Sequence, residues 1–438
     1  MLRIICVTFV FQLFASFAST QTDVLKTNGD ILIGGLFPIH NVGANDSICG
    51  SFNSNPGYQY MEAMLYALDR INADPRILPG IKLGSVIADT CNSALISRQK
   101  TRKFIKIILV PESSNFSQLV SVVGPMTGLN DKDVANILQV FRVPQISYGA
   151  MSSDLGNKES YKYFFRTVAP NQLFYAAMAS FLGKTGWRYV ALVYSKSIWH
   201  RFTAERFKVA MKDRGICVFS PLEISQYTSN IHLDKYVEKL VSDDSKPNIV
   251  IFVTSTHDSH IMLAAKKRNQ RGNKLTFVAG VSWSNRKSIT QDFEEVAVGT
   301  FSFGQRQGSI PEFEKYFHEL RYSNYTRKNK YWIGEYWQET HQCNLPELGI
   351  ATNFATNCTG KENNAVYKEF SPVQVVINAV YAIASAIDTL QKHLCANTTR
   401  LCSKMRLEST QLLLEYIKNT TFKDACLMRQ NHSTLNRN

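Results

Sequence analysis

Apolar and polar positions along the chain fall into a repeating order. Ile31 to Phe37 is an unbroken apolar run, the pattern of a strand covered on both faces. Between Met61 and Asn72 the apolar residues Met61, Met64, Leu65, Leu68 and Ile71 recur at helical spacing, and Pro75 lies just beyond. Ile81 to Ala88 then reads as a strand and Ala94 to Leu109 as a basic amphipathic helix. Leu119 to Val123 reads as a strand ending at Gly124-Pro125. Asn130 is placed to cap a helix whose apolar face is Val134, Ile137, Leu138 and Phe141. Val143 to Tyr148 is a further strand.

The order then restarts. Strands are expected at Tyr189 to Tyr194, Ile249 to Thr254 and Leu275 to Val281, with helices around Ala204 to Arg214 and His260 to Asn269. Repeated strand–helix units predict parallel sheets with helices on both faces, and two such stretches predict two α/β lobes. Open parallel sheets bind ligands outside the carboxyl ends of their strands. The loops after Val123, Tyr148, Tyr194, Thr254 and Val281 are therefore the expected ligand contacts. The longest later apolar run, Val373 to Leu390, is interrupted by Gln374, Asn378 and Asp388, so it reads as a buried helix rather than a membrane span.

Length agrees with two lobes, since 438 residues exceed one ordinary core. Arg3, the apolar stretch Ile4 to Phe17 and the small residues Ser16 and Ala18 read as a secretory signal over residues 1–19. Cys6 would leave with it. Eight cysteines remain, at 49, 91, 217, 343, 358, 395, 402 and 426, and an even count in an exported chain favours disulfides. Sequons at Asn45, Asn115, Asn324, Asn357, Asn397, Asn419 and Asn431 mark expected glycosylated surface. The net charge of +14 is scattered, and the clusters Arg98 to Lys106 and Lys266 to Lys274 suit solvated helix faces, so no nucleic-acid partner is expected.

Catalytic patterns are missing. No Walker A loop, Gly-x-Gly-x-x-Gly or Gly-x-Ser-x-Gly elbow occurs, so neither an enzyme nor a cofactor is expected. His257 and His260 could in principle share zinc, but no further ligand cluster supports them, and polar residues are common at a helix start. Trp332, Tyr336 and Trp337 suit core packing better than a stacking platform.

Five segments carry a resemblance: DILIGGLFPIH from Asp30, the stretch from Met61 to Cys91, KYFFRTVA ending at Ala169, EYWQETHQCNLP ending at Pro346, and the stretch from Val373 to Cys395. Together, over roughly residues 30–422, the chain resembles the extracellular ligand-binding region of class C G-protein-coupled receptors, specifically the metabotropic glutamate receptors. The resemblance implies a periplasmic-binding-protein-like Venus-flytrap fold with lobe 1 at 30–169 plus 306–422 and lobe 2 at 170–305. It implies disulfides Cys49–Cys91, Cys343–Cys358 and Cys395–Cys402. Cys217 matches a cysteine that in the family bonds a following cysteine-rich domain, and Cys426 lies in an unmatched tail, 423–438. The loop around Val110 to Leu119 has no cysteine, so a dimer through the lobe 1 helices would be non-covalent.

The resemblance also implies a ligand cleft at Tyr60, Gly128, Gly149, Met151, Asn171, Trp199, Ser255, Val281, Arg286 and Pro372. Tyr60 and Pro372 stand where relatives carry basic residues for the ligand's side-chain carboxylate. Gly128, Gly149 and Met151 replace hydroxyl residues, Asn171 and Val281 replace acidic ones, Trp199 replaces a tyrosine and Ser255 a glutamate; Arg286 is unchanged. A hydrogen bond to a charged group contributes about 1.5–3 kcal/mol. Losing three or four such contacts removes roughly 5–10 kcal/mol, against about 8 kcal/mol for micromolar binding. The expected ligand is therefore a small molecule other than glutamate, aromatic or weakly charged. Relatives continue into cysteine-rich and membrane domains, so three origins are open. The chain is expected to be a truncated receptor product, with G-protein coupling only in a longer membrane form. The alternatives are a secreted binding or decoy protein without signalling, and another protein or enzyme on a similar two-lobed fold.

Overall fold

A computed structural model describes residues 24–44, 48–53, 56–109, 118–280, 283, 287–304, 308–325, 330–350, 352–362, 372–395, 398–423 and 432–434. The chain divides into two compact units, one of residues 1–168 with 307–438 and the other of residues 169–306.

The first unit is built on a six-stranded sheet. Its strands are β1 (Val24–Thr27), β2 (Ile31–Phe37), β5 (Leu83–Asp89), β6 (Gln118–Val123), β7 (Gln145–Ser147) and β8 (Phe164–Arg166), while β3 (His40–Val42) and β4 (Cys49–Phe52) pair separately. The order is β1-β5-β2-β6-β7-β8. All neighbours run parallel except β1, which lies antiparallel on β5 from Val24 opposite Ala88 to Thr27 opposite Ser85. The sequence pattern did not foresee that edge strand.

Every residue of β2 is buried, as its unbroken apolar run requires. Ile33 and Phe37 enter the core beneath the helices α1 (Gly57–Ala73) and α10 (Pro372–Leu394). Leu32 and Leu36 enter the opposite core with Phe104, Val134 and Leu138 of α2 (Ala94–Leu109) and α3 (Gly128–Val140). Further helices α8 (Pro311–Glu319), α9 (Lys330–His341) and α11 (Ser403–Asn419) belong to the same unit. Helix α10 is long and apolar enough to cross a membrane, yet most of it is buried in this core. Asn130 is not a cap. Helix α3 starts two residues earlier, with Thr127 at the cap position, and Asn130 lies buried in the first turn.

The second unit repeats the plan with five parallel strands: β9 (Tyr189–Ser195), β10 (Cys217–Ile224), β11 (Ile249–Val253), β12 (Thr276–Ala279) and β13 (Phe301–Ser302), in the order β10-β9-β11-β12-β13. Leu182, Val190, Leu192 and Phe207 form a core with α4 (Asn171–Lys184) and α5 (Ile198–Lys212). Ala191, Val193, Phe252 and Phe277 face α6 (Asn230–Val241) and α7 (Thr256–Arg268) on the other side. Helices α5 and α7 begin before the apolar periodicity does, because Ser197 and Ser255 cap them: each side chain accepts a backbone N–H three residues on.

Among the described residues three disulfides close, all in the first unit: Cys49–Cys91, Cys343–Cys358 and Cys395–Cys402, with Cα separations of 5.3, 5.0 and 5.8 Å. Cys217 is exposed and unbonded among the described residues, and Cys426 lies outside them. Of the sequons, Asn324, Asn357 and Asn419 are exposed, while Asn45, Asn115, Asn397 and Asn431 lie outside the described residues. The expected signal, residues 1–19, also lies outside them.

Candidate functional site

In each sheet the chain crosses from one side of its first long parallel strand to the other, and at such a switch the carboxyl ends diverge to leave a crevice. In the first unit β5 and β6 flank β2, so the switch falls between β2 and β6, beyond Phe37 and Val123. In the second, β10 and β11 flank β9, so it falls between β9 and β11, beyond Ser195 and Val253. Most candidate residues in the described regions sit on helices or loops that begin at these edges.

On the first unit, Tyr60 is in the opening turns of α1 and is buried, its ring 5.5 Å from that of Tyr148. Phe37 also stacks on Tyr148 at 5.4 Å, and the Tyr148 hydroxyl donates to the Leu36 carbonyl at 3.1 Å. An apolar aromatic group thus closes the end of β2. Gly128 is the first residue of α3. Gly149 has no room for a side chain, since a Cβ there would come 2.3 Å from the Met126 carbonyl oxygen. Met151 packs half-buried against the main core. Pro372 begins α10.

Sequence reasoning missed what supports this edge. Asp131 is fully buried and accepts from Gln145 Nε2 at 2.9 Å, and the same amide nitrogen donates to the Gly124 carbonyl at 3.0 Å. Ser147 Oγ donates to the Pro125 carbonyl at 3.0 Å. Burial pushes the Asp131 carboxyl well above the usual carboxylate range, against the opposing pull of Ser147, Gln145 and the Arg166 charge. The Asp131 carboxyl and the Gln145 amide thus tie the 124–128 turn to β7. The acidic residue in the first turn of α3 was the available signal.

On the second unit, Asn171 opens α4 and is buried. Trp199 lies in the first turn of α5, 45% exposed, edge-on to His200 at 4.7 Å. Ser255 caps α7, accepting from the Asp258 amide at 3.1 Å, and its own amide donates to Ser195 Oγ at 2.7 Å. Ser195 Oγ in turn donates to buried Asp258. Burial holds His200 below the usual histidine range, with the Asp258 charge opposing, so its ring is neutral near pH 7. Two capped helix starts, at Ser197 and Ser255, thus follow the two strands of one switch point, and the positive end of a helix dipole favours negative or acceptor groups nearby. Val281 and Arg286 lie outside the described residues.

Other candidate chemistry resolves into structure. His260 hydrogen-bonds the Ile289 carbonyl at 3.1 Å and packs edge-on against Phe293, so the His257/His260 pair is not assembled as a metal site among the described residues. Ligand atoms of Cys49, Asp89 and Cys91 do lie within 4.8 Å of one another, but both sulfurs are spent in a disulfide. Trp332 and Trp337 are buried in the first unit and Tyr336 stacks on Tyr58 at 4.7 Å, which makes them packing residues.

Comparison with known sequences fits this two-unit, switch-point design. Residues 59–428 match the family described as receptor family ligand binding region. The chain is 31% identical over 421 residues to metabotropic glutamate receptor 6 of Oryctolagus cuniculus, covering 91% of this chain and 48% of that one. It is 30% identical over 415 residues to metabotropic glutamate receptor 8 of Homo sapiens, covering 91% and 45%. The chain thus spans about half the length of these relatives. With mainly parallel sheets flanked by helices, and a family match across most of its length, the chain belongs to the receptor family of ligand-binding regions and is similar to the ligand-binding portion of metabotropic glutamate receptors.

Proposed function

We propose that this chain is the extracellular ligand-binding region of a receptor of the metabotropic glutamate kind whose ligand is a small molecule other than glutamate. Its first lobe is 30–169 with 306–422 and its second 170–305. The ligand residues are those at the carboxyl edges of the two sheets, with Tyr60, Gly149 and Met151 on one unit and Asn171, Trp199 and Ser255 on the other. The observation that carries the reading is Tyr60. Where the resemblance calls for a cation, a tyrosine is buried against Tyr148. A dianionic ligand would lose its partner there, and an unpaired buried charge is costly. Gly149 supports the same reading, because the Met126 backbone takes the space a serine side chain would need.

Calorimetry of the exported chain against glutamate tests this. No saturable binding is expected. Micromolar binding abolished by Arg286→Ala would overturn it. Association between copies through α2 and α3, where Leu109 and Val140 are exposed at 63% and 73%, would be non-covalent. A dimer on a sizing column that runs as monomer on a non-reducing denaturing gel is the expected result, and one that stays dimeric on that gel until reductant is added contradicts it.

A further inference from the structure

A buried acid and amide lie side by side under the carboxyl edge of the first sheet. Asp131, in the first turn of α3, and Gln145, which begins β7, are both sealed from solvent. Asp131 Oδ1 accepts from Gln145 Nε2 at 2.9 Å, and the same nitrogen donates to the Gly124 carbonyl at 3.0 Å. The second bond fixes the amide, because turning it over would set Oε1 against the Gly124 carbonyl. Two atoms of the pair are left over. Asp131 Oδ2 and Gln145 Oε1 are buried and have no hydrogen-bond partner among the described residues.

The neighbouring groups are engaged elsewhere. Ser147 has one hydroxyl hydrogen, which goes to the Pro125 carbonyl at 3.0 Å, while its Oγ accepts the Ala150 amide at 2.9 Å. Tyr148 donates to the Leu36 carbonyl at 3.1 Å. Arg166 on β8 is the charged group that bears on Asp131, but its Nη1 donates to the carbonyls of Ser152 at 2.7 Å and Ala150 at 3.4 Å. On α3 itself, Lys132 pairs with Asp154 at 2.7 Å, and Asp133 pairs with Arg98 of α2 at 3.3 Å. An ionised Asp131 would therefore be a buried anion with one of its oxygens unpartnered, beside an amide oxygen in the same position. Two acceptors cannot satisfy each other. One proton on Oδ2 supplies a donor, and Gln145 Oε1 is the open acceptor on the amide that already holds Oδ1. Burial acts in the same direction, since it disfavours the charged form.

We infer that Asp131 keeps a proton on Oδ2 and closes an acid–amide clasp with Gln145, donating to Oε1 while accepting from Nε2, and that this proton-dependent clasp positions the 124–128 turn for a ligand. Asp131 is thus a positioning residue, acting through the turn that leads to Gly128. The link to a ligand rests on the function proposed above. The clasp does not, and its test uses no ligand, so either can fail without the other.

The test combines pH-dependent unfolding with infrared spectroscopy, both on the full chain. An unfolded aspartate loses its proton near pH 3.9. A proton held in the folded state contributes stability that is fully present below that pH and is lost as pH rises through the folded value, by about tenfold in the folded-to-unfolded ratio per pH unit. Asp131→Asn offers an amide N–H in place of the acid O–H and has nothing to titrate. Comparing parent and variant at each pH cancels His40 and the other titrating groups. Between about pH 4 and 6 the ratio should move in favour of Asp131→Asn by about tenfold per unit in denaturant unfolding. Asp131→Ala, which strips Gln145 of its partner, should lose about tenfold or more in the same ratio at pH 5. Infrared spectra of the parent carrying carbon-13 aspartate need no variant, and decide the matter if Asp131→Asn fails to fold. A protonated-carboxyl band that shifts on labelling is expected at pH 6. The inference is overturned if that band is missing, or if the parent-to-variant ratio stays flat or moves in the parent's favour. A buried water donating to both oxygens beside an ionised Asp131 would give those contrary results.

Discussion

The two units share one topology and are held together by different means. In the second unit, α5, α6 and α7 each begin with a serine whose hydroxyl accepts the amide three residues on: Ser197 from His200, Ser229 from His232 and Ser255 from Asp258. In the first, α1 and α3 begin at Pro56 and Thr127 with no side-chain cap, and Ser93 alone serves α2, accepting the Ile96 amide at 3.3 Å; α4 of the second unit, at Pro170, is uncapped too. The first unit instead contains all three disulfides and the buried His40 ion pairs. The second has no disulfide among its described residues, and ion pairs such as Arg268–Asp234 and Arg201–Glu223 are largely exposed, where each contributes little. Both units have a core on each face of the sheet; the first adds covalent and ionic links between distant segments, and the second relies more on local caps. Reductant and pH should therefore act on the first unit and leave the second nearly untouched.

Reduction should have the largest effect. The disulfides close sequence separations of 42, 15 and 7 residues. Loop-closure entropy assigns these roughly 4, 3 and 2 kcal/mol. In reductant, hydrogen exchange should rise first in β2 and β5, while β9 and β11 keep their protection. Equal loss in both units would end the contrast.

His40→Ala comes next. It leaves Asp89 and Glu335 buried without their common cation, a change that costs about 3–5 kcal/mol. The wild-type pair also has a pH signature. Burial works against the charged ring, but the hydrogen bonds to Asp89 and Glu335 and their charges outweigh it, raising the His40 pKa to about 9. A histidine raised in the folded state contributes stability that is fully present below its unfolded value near 6.5 and is lost as pH rises through 9. The whole span corresponds to roughly 3 kcal/mol. Denaturant midpoints of the first unit should fall between pH 6.5 and 9 in the wild type and stay flat over that window in His40→Ala. A parallel fall in both proteins would show that His40 is not the titrating group.

Much of this contrast was legible in the sequence, and its limits have physical reasons. The run Ile31 to Phe37 reads as a strand covered on both faces, and that is how β2 sits. The α10 segment carried polar interruptions that read as a buried helix rather than a membrane span, and most of it is buried. Helix starts were harder, because periodicity begins only where a helix meets the core. Ser197 and Ser255 lie a turn or more ahead of that point, so the cap geometry found them and the apolar pattern did not. The partnership of His40, Asp89 and Glu335 was out of reach. It joins residues 49 and 295 positions apart, and no local pattern encodes such a contact. At the candidate site, resemblance supplied positions but not surroundings. That Gly149 is filled by Met126, and that Asp131 lies buried under the same turn, came from packing alone.

The smallest effect compares one residue in each unit. Ser255 Oγ accepts the Asp258 amide at 3.1 Å at the start of α7, whereas Thr127 stands at the start of α3 and makes no side-chain cap bond. Removing a working cap costs typically about 1 kcal/mol, with a range of roughly 0.5–2. Ser255→Ala should therefore destabilise the second unit by about that amount, while Thr127→Ala should change the first by a few tenths at most. The Ser255 amide still reaches Ser195 in the variant, because that bond uses backbone rather than side chain, so the loss should stay near the cap value. Chemical denaturation followed by hydrogen exchange separately in β6 and β11 measures both. A Thr127 effect as large as that of Ser255 would mean that α3 and α7 start in the same way after all.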